Sequence, residues 1–516
     1  MNTRSTIVRN TLFSSVGIYT EYFLGMLTSI IIARHLGPSH FGAYSLVIWL
    51  VATGVVISNS GVSSTVIKFV AELRGAGREA QIRSLLAWAR RMQACFLAAV
   101  LLGGTALFML QGHRLMPDFD HGLLLAILLV TTVLRAMYML NISTAKGFEN
   151  FRATAAIAVI VAPLNLLLIL LVWWLDGPME WFLGTFTVSS FVFWWVSRRQ
   201  VAPLLPPRGT QEPLDGELRR RLRGYTAVVA VTVAVASITA SEVEVFFLTL
   251  FDSSASAGHF KVAFQLSNGA LLLVPGVFGA LLLPMMANAL AQGHEVANRR
   301  LAMSTTYLSA LAAPLVAFGV VFAREIIGLL YGAEFAPAAP VFALCLAAGA
   351  ISVVSQGASS YLLGADRQRL LMIAVIACSL VKVGLDVMLI RRYGLHGAVA
   401  AFAATALVMG SLIITLALRH SGATLEWARM GRVLLAAAVA AAAAWALRGH
   451  MGNLATLVVG GVVLSLLYAA GTVLCGFWSA ADLQHFQQLH MRVARGRPAF
   501  LGRLIGWALR RAETVA

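Results

Sequence analysis

The chain has 516 residues, 59% of them hydrophobic and only 12% charged, with a mean hydropathy of +0.81 and a formal net charge of +17. So little polar side-chain content excludes a water-soluble globular protein of this length. Apolar runs of roughly 20 residues recur from end to end, each long enough to cross a bilayer, so the sequence predicts an all-α polytopic membrane protein without a sizeable soluble domain.

The N-terminal MNTRSTIVRN is short and basic. The apolar run behind it is too long for a signal-peptide core, so it reads as a retained first span. About fourteen spans are expected, near 11–33, 41–63, 93–110, 121–145, 153–175, 181–198, 225–250, 260–290, 301–323, 337–363, 369–390, 396–418, 430–447 and 454–477. Six precede the basic, Pro-rich link 199–224 and eight follow it. The expected organisation is an N-lobe over 1–198, a linker over 199–224, a C-lobe over 225–418, two further spans over 419–478 and a basic tail over 479–516. In that tail Leu501, Leu504, Ile505 and Ala508 share a helical face beside Arg503, Arg510 and Arg511, the pattern of a helix lying on a membrane.

Counting the N-terminus, every second loop and the tail as one side, thirty Lys and Arg fall there and seven fall in the opposite loops, span ends being counted with the loops. Arg135 and Lys382, inside spans, complete the 39. This positive-inside bias predicts that both termini face the cytoplasm. It also accounts for the net charge through anionic headgroups, with no nucleic-acid partner needed. The four cysteines, Cys95, Cys345, Cys378 and Cys475, form no C-x-x-C pair and read as small core residues.

An internal repeat is visible. GFENFRATAAIAVIVAPLNLLLI (147–169) aligns with GADRQRLLMIAVIACSLVKVGLD (364–386), placing Gly147 on Gly364, Glu149 on Asp366 and Arg152 on Arg369. At a nearby offset FGAY (41–44) faces AGHF (257–260). Two related lobes are a common transporter plan, with substrate between them.

IIARHLGPSHFGAYSL (31–46) followed by SNSGVSSTVIKFVAE (58–72) resembles the first two helices of bacterial polysaccharide flippases. The matching residues are Ala33, Arg34, Leu36, Gly37, Pro38, Phe41, Gly42 and Tyr44, then Gly61, Lys68, Phe69, Ala71 and Glu72. YGLHGAVAAFAATAL (393–407) is similar to that family's twelfth helix. The family is the Wzx-like polysaccharide-transporter branch of the multidrug/oligosaccharidyl-lipid/polysaccharide (MOP) superfamily. The resemblance implies a MATE-like fold, with two six-helix lobes around a central cavity and two extra C-terminal helices. It implies a flippase of the bacterial inner membrane that moves an undecaprenyl-diphosphate-linked oligosaccharide outward by alternating access. No cofactor is implied beyond a coupling H+ or Na+. Partners would be the lipid-linked substrate, membrane lipids, and a polysaccharide polymerase with its chain-length machinery. The motif residues themselves read as packing and topology signatures: Gly37-Pro38 ends a helix sharply, because proline lacks a donor and disfavours helix before it.

Six ionisable residues stand inside spans: Glu21, Arg135, Glu242, Glu244, Lys382 and Asp386. Such residues usually face a protein interior or a cavity. Arg135 and Lys382 are the candidate cavity cations for an anionic headgroup, while Glu21, Glu242, Glu244 and Asp386 are the candidate cavity or ion-coupling acids. Lys382 and Asp386 also form an i, i+4 pair able to neutralise itself. Arg135 has no acid in its own helix, leaving a bridge to Glu21 or to a glutamate of span seven as the alternative. Glu242 and Glu244, two apart, must point to different helix faces. Tyr19, Tyr22, Tyr138, Asn141, Asn165, Gln265, Asn268 and Gln356 are candidate sugar contacts, with helix–helix hydrogen bonds as the bland reading.

Two rivals share the fold: an ion-coupled exporter of drugs or organic cations, which favours carboxylates in its cavity, and a lipid II flippase, which tends to carry several arginines in its first lobe. A membrane polymerase or glycosyltransferase would need a large outer loop or catalytic domain. The outward loops are short and hold no usable catalytic or nucleotide-binding motif, so the chain is expected not to be an enzyme.

Overall fold

The computed structural model describes residues 3–116, 119–207, 212–240, 242–273, 279–449, 451–479 and 482–484. The surface helix expected in the tail lies outside them. Seventeen α-helices and no strand occur among the described residues. They are α1 (Thr3–Asn59), α2 (Val62–Gly75), α3 (Ile82–Leu115), α4 (His121–Gly147), α5 (Phe151–Trp174), α6 (Met179–Val201), α7 (Gly216–Ala240), α8 (Val243–Phe251) and α9 (Ser254–Leu273). They continue with α10 (Gly279–Gln292), α11 (His294–Val321), α12 (Ala323–Tyr331), α13 (Ala338–Val354), α14 (Gln356–Gly364), α15 (Gln368–Ser421), α16 (Trp427–Ala446) and α17 (Asn453–Leu474). Eight stretches among the described residues are long and apolar enough to cross a membrane. The chain is a multi-pass membrane protein.

Two of those stretches each hold a pair of expected spans. In α1 the helix breaks at Gly37 (φ 68°, ψ 174°), and in α15 at Gly394 (φ 55°, ψ −130°). Both angles lie in the left-handed half of the map, open to glycine without steric strain. Pro38 then forbids the chain from healing back into a single helix.

Span seven departs from expectation. It was expected to run unbroken over 225–250, but α7 stops at Ala240, Glu242 is non-helical (φ −72°, ψ 58°), and α8 begins at Val243. The sequence before the break, Ser237-Ile238-Thr239-Ala240-Ser241, is rich in hydroxyl and β-branched residues, which hold helix weakly. The break also lets two glutamates reach different partners, described below.

The chain packs as two compact units. The first comprises 1–262 with 379–401, and the second 263–378 with 402–516. The expected boundary at 199–224 thus does not coincide with the division in the structure, where α7, α8 and the first half of α9 pack with α1–α6.

In the first unit α1 packs on α5, and α4 on α6. The family motif 61–72 has a clear mechanical role there. Gly61 lets α2 approach α7 so closely that a Cβ would stand 2.3 Å from the Thr226 carbonyl oxygen. The hydroxyls of Thr65 and Thr226 then meet at 2.7 Å. The Lys68 ammonium sits 4.2 Å above the Tyr225 ring, and Phe69 meets that ring edge-on. Glu72 accepts two hydrogen bonds from Arg221, at 2.9 and 3.3 Å. Beneath these contacts Val66, Phe69, Leu85 and Leu222 form a buried apolar cluster. This end is the basic one, so its burial removes apolar area from water at about 25 cal/mol per Å². Helices in lipid gain nothing comparable and rely on close packing of small residues.

The tightest such packing joins the repeat-related FGAY and AGHF stretches. A Cβ on Gly42 would lie 1.7 Å from the Ser254 carbonyl oxygen, and one on Gly258 would lie 2.2 Å from that of Pro38. Phe41 beside it is fully buried and stacks on Tyr44.

The second unit is built on α11 against α13 and α16 against α17. Its core includes Met286, Leu301, Tyr361, Leu362 and Ala417, with a separate cluster of Phe322, Ala440 and Leu464.

The repeat holds at the level of single hydrogen bonds. After α4, the amides of Phe148, Glu149 and Asn150 bond to the carbonyls of Thr144, Lys146 and Ala145. After α14, Ala365, Asp366 and Arg367 bond to Tyr361, Leu363 and Leu362, the same pattern 217 residues later. Glu149 (φ 58°) and Asp366 (φ 59°) both adopt the left-handed conformation, uncommon for residues other than glycine. Two helix ends are closed by one turn design, with an acidic residue at the strained position.

Candidate functional site

The second half of the broken seventh span meets α15 and brings the buried charges together. Glu244 lies in the first turn of α8, and Lys382 and Asp386 lie one turn apart on α15. The Lys382 ammonium sits 2.7 Å from a Glu244 carboxylate oxygen and 3.1 Å from one of Asp386. The three residues are 3%, 1% and 0% exposed. Lys382 therefore points into a closed ion cluster, with both the expected i+4 partner and a second acid from α8. The second oxygen of Asp386 has no hydrogen-bond partner among the described residues. Two carboxylates facing one ammonium leave one formal negative charge, so a single proton neutralises the group.

Glu242, two residues earlier, turns to a different partner and forms an ion pair with Lys261 of α9. The two-residue spacing predicted separate helix faces; in the structure Glu242 precedes the helix, and each glutamate meets a different lysine. Lys261 escaped sequence reasoning because it stands at the edge of an expected span, where it counted as a loop charge. Tyr22 on α1 is half-buried, Tyr19 is exposed, and the side chain of Glu21 lies outside the described residues.

Arg135 on α4 is held differently. Its Nε donates to the Ser190 hydroxyl at 2.8 Å, and the guanidinium lies 4.7 Å from the Phe186 ring and 4.6 Å from the Phe193 ring. A planar cation between two aromatic faces keeps its charge while losing part of its water. Phe186, Ser190 and Phe193 recur on one face of α6 at spacings of four and three. That spacing was legible, but nothing in the sequence paired it with α4.

The candidate sugar contacts divide. Asn141 donates to Ser197 at 3.0 Å, Asn165 accepts from Ser189 at 2.7 Å, and the Tyr138 ring packs on Phe193. These three join helices within the first unit. Asn268 is exposed, and Gln265 and Gln356 are half-buried in the second unit. Arg34 is exposed next to the Gly37 break. Among the described residues no group of three or more metal-binding side chains occurs.

Comparison with known proteins places this arrangement. Among solved structures, a lipid II flippase, MurJ, in an inward closed conformation superposes with a TM-score of 0.71 at 13% identity, covering 90% of this chain and 98% of that one. An inward-facing multidrug resistance MATE family transporter of the MOP superfamily gives 0.65 at 13% identity, covering 79% and 98%. A MOP superfamily transporter from Pyrococcus furiosus, described as having a binding pocket of reverse polarity, gives 0.57 at 12%, covering 81% and 95%. At such identities these likenesses establish the fold. No curated protein matches in sequence. A family of polysaccharide biosynthesis proteins matches residues 7–290, more than half the chain. The chain therefore belongs to the polysaccharide biosynthesis protein family and carries the fold of the MOP superfamily transporters.

Proposed function

We propose that this protein is a flippase that moves an undecaprenyl-diphosphate-linked oligosaccharide from the cytoplasmic to the periplasmic leaflet by alternating access. On this reading it sits in a bacterial inner membrane with both termini inside. The carrying observation is the family match over residues 7–290 on a MOP fold. Two features support the anionic substrate. Arg135 is a cation packed against two aromatic rings, and both acids beside the helix break, Glu242 and Glu244, stand against lysines. An exporter of organic cations would be better served by carboxylates with no lysine against them. A lipid II flippase remains the second reading, favoured by the superposition on MurJ.

The protein acts as a transporter, not an enzyme, and hands its cargo to a polymerase with its chain-length machinery. Drive comes from H+ or Na+, and the Glu244–Lys382–Asp386 cluster, with its one surplus negative charge, is the site proposed to take up that cation.

The test uses cells that lack the gene but still make the lipid-linked repeat unit. The intermediate is expected to build up on the cytoplasmic face and to be cleared by the wild type. Arg135→Ala should clear it poorly, and Arg135→Lys incompletely, because an ammonium cannot lie flat between two rings. A deletion strain in which only a lipid-linked peptidoglycan precursor builds up favours the second reading. One in which no lipid-linked intermediate builds up overturns both.

A further inference from the structure

A second basic site lies outside the ion cluster, at the basic end of the first unit. A cavity of about 410 Å³ opens between α3, α4 and α6. Helical spacing brings its lining together. Arg83 and Arg90 are seven apart on α3, Met137 and Asn141 four apart on α4, and Trp194 and Arg198 four apart on α6, so each pair shares a face. Among the described residues, three guanidinium groups line the cavity and no carboxylate does. Arg83 is anchored through Nε to the Pro206 carbonyl, next to the lining residue Leu205. Arg90 and Arg198 are exposed. The rest of the lining includes the apolar Met137, Leu140, Val201, Ala202 and Leu205, and Met137 is 40% exposed.

Depth in the membrane can be read from α6. Arg198 lies over the Trp194 ring, and Arg199 over the Trp195 ring at 3.8 Å. Tryptophans paired with arginines at a helix end mark the headgroup level of a bilayer. On the far side of α3, Arg91, Arg219 and Arg223 line a second cavity of about 630 Å³, adding to the positive field.

We propose that the α3–α4–α6 cavity binds the phosphate-bearing headgroup of an anionic lipid from the leaflet at the basic end. Three arginines with no carboxylate among the described lining residues call for an anion of more than one charge or with several acceptor oxygens. The apolar part of the lining, at headgroup depth, favours a lipid over a free phosphate. The cavity's size suits a headgroup with the start of its chains. The site is separate from the ion cluster and does not depend on which cargo the protein moves.

The experiment is calorimetric titration of the purified full-length chain in uncharged detergent. The probes are short-chain phosphatidylglycerol, farnesyl diphosphate, inorganic diphosphate and short-chain phosphatidylcholine. At least one of the two anionic lipids should bind, weakening as salt rises. Phosphatidylcholine and inorganic diphosphate should bind at least tenfold more weakly. Arg90→Gln or Arg198→Gln should each lose about tenfold and the double variant about a hundredfold, while Arg324→Gln, in a different cavity of the second unit, should lose nothing. Preference for phosphatidylglycerol identifies a bulk-lipid site, and preference for farnesyl diphosphate identifies a site for isoprenoid diphosphates. The proposal falls if the folded double variant binds both lipids like the wild type, if neither lipid binds the wild type, or if inorganic diphosphate binds as tightly as they do. Elution as a single symmetric peak qualifies each variant, and Arg198→Lys, which keeps the charge, serves if the glutamine variants fail to fold.

Discussion

Replacing Lys382 by methionine removes the ammonium and keeps most of the side-chain volume. Two carboxylates, 1% and 0% exposed, then lose their shared cation. At 2.7 and 3.1 Å each contact corresponds to about 5–6 kcal/mol at an effective dielectric of ~20. Desolvation of the ions, several kcal/mol each, offsets most of that in the wild type. Without the lysine the desolvation stays and the attraction is gone, so the loss should be about 3–5 kcal/mol. Thermal unfolding of the purified protein in detergent should show a drop of several degrees. The triple variant Glu244→Gln, Lys382→Met, Asp386→Asn removes all charge and should recover most of the loss, because neutral groups of similar shape leave no buried ion. Transport separates structure from function: a stable triple variant that fails to clear the lipid intermediate assigns the charges to transport. If Lys382→Met melts within one degree of the wild type, the reasoning about a buried ion cluster is refuted.

The Gly42–Gly258 contact offers a steric test. Gly42→Ala places a methyl 1.7 Å from a backbone oxygen that cannot move alone, and about 3 kcal/mol or more should be lost, read as a lower melting temperature. Glu72→Gln removes one charge of an exposed pair with Arg221 and should shift stability by less than about 1 kcal/mol, despite its place in the family motif. Asp482 supplies a pH test. Burial alone would raise its carboxyl, but hydrogen bonds from Ser479 and Tyr307 and the nearby Arg429 guanidinium hold it below the ordinary range. A depressed folded value gives stabilisation that is complete above the unfolded value of about 3.9 and is lost as pH falls through the folded one. Melting curves taken downward from pH 5 should therefore fall less steeply for Asp482→Asn than for the wild type.

The helices were legible because lipid demands long apolar runs, and the Gly37 break because Gly-Pro leaves few alternatives. The repeat was visible as Gly147 over Gly364 and Glu149 over Asp366, and the backbone turns bear it out. The break at Glu242 was not legible, since an apolar run around a Ser/Thr-rich stretch reads as continuous helix. The i, i+4 relation of Lys382 and Asp386 is a local property and could be read. Glu244 as their third member comes from a segment far away in sequence, and no single-chain pattern reports such a meeting. The same holds for Arg135, whose aromatic holders sit on another helix. Local periodicity reveals faces, while partners are set by how faces dock.

The ion cluster also bears on how the protein is made. Glu244 emerges from the ribosome long before Lys382 and Asp386 do. During that interval its carboxylate has entered, or waits beside, the insertion channel with its cation still unsynthesised. An ionised glutamate in mid-membrane is expensive, so span seven must be held out of lipid, sheltered by an insertase or carried in as the neutral acid until α15 arrives. A transcript truncated before residue 379 would yield a chain in which that debt is never settled, and quality-control proteases should remove it.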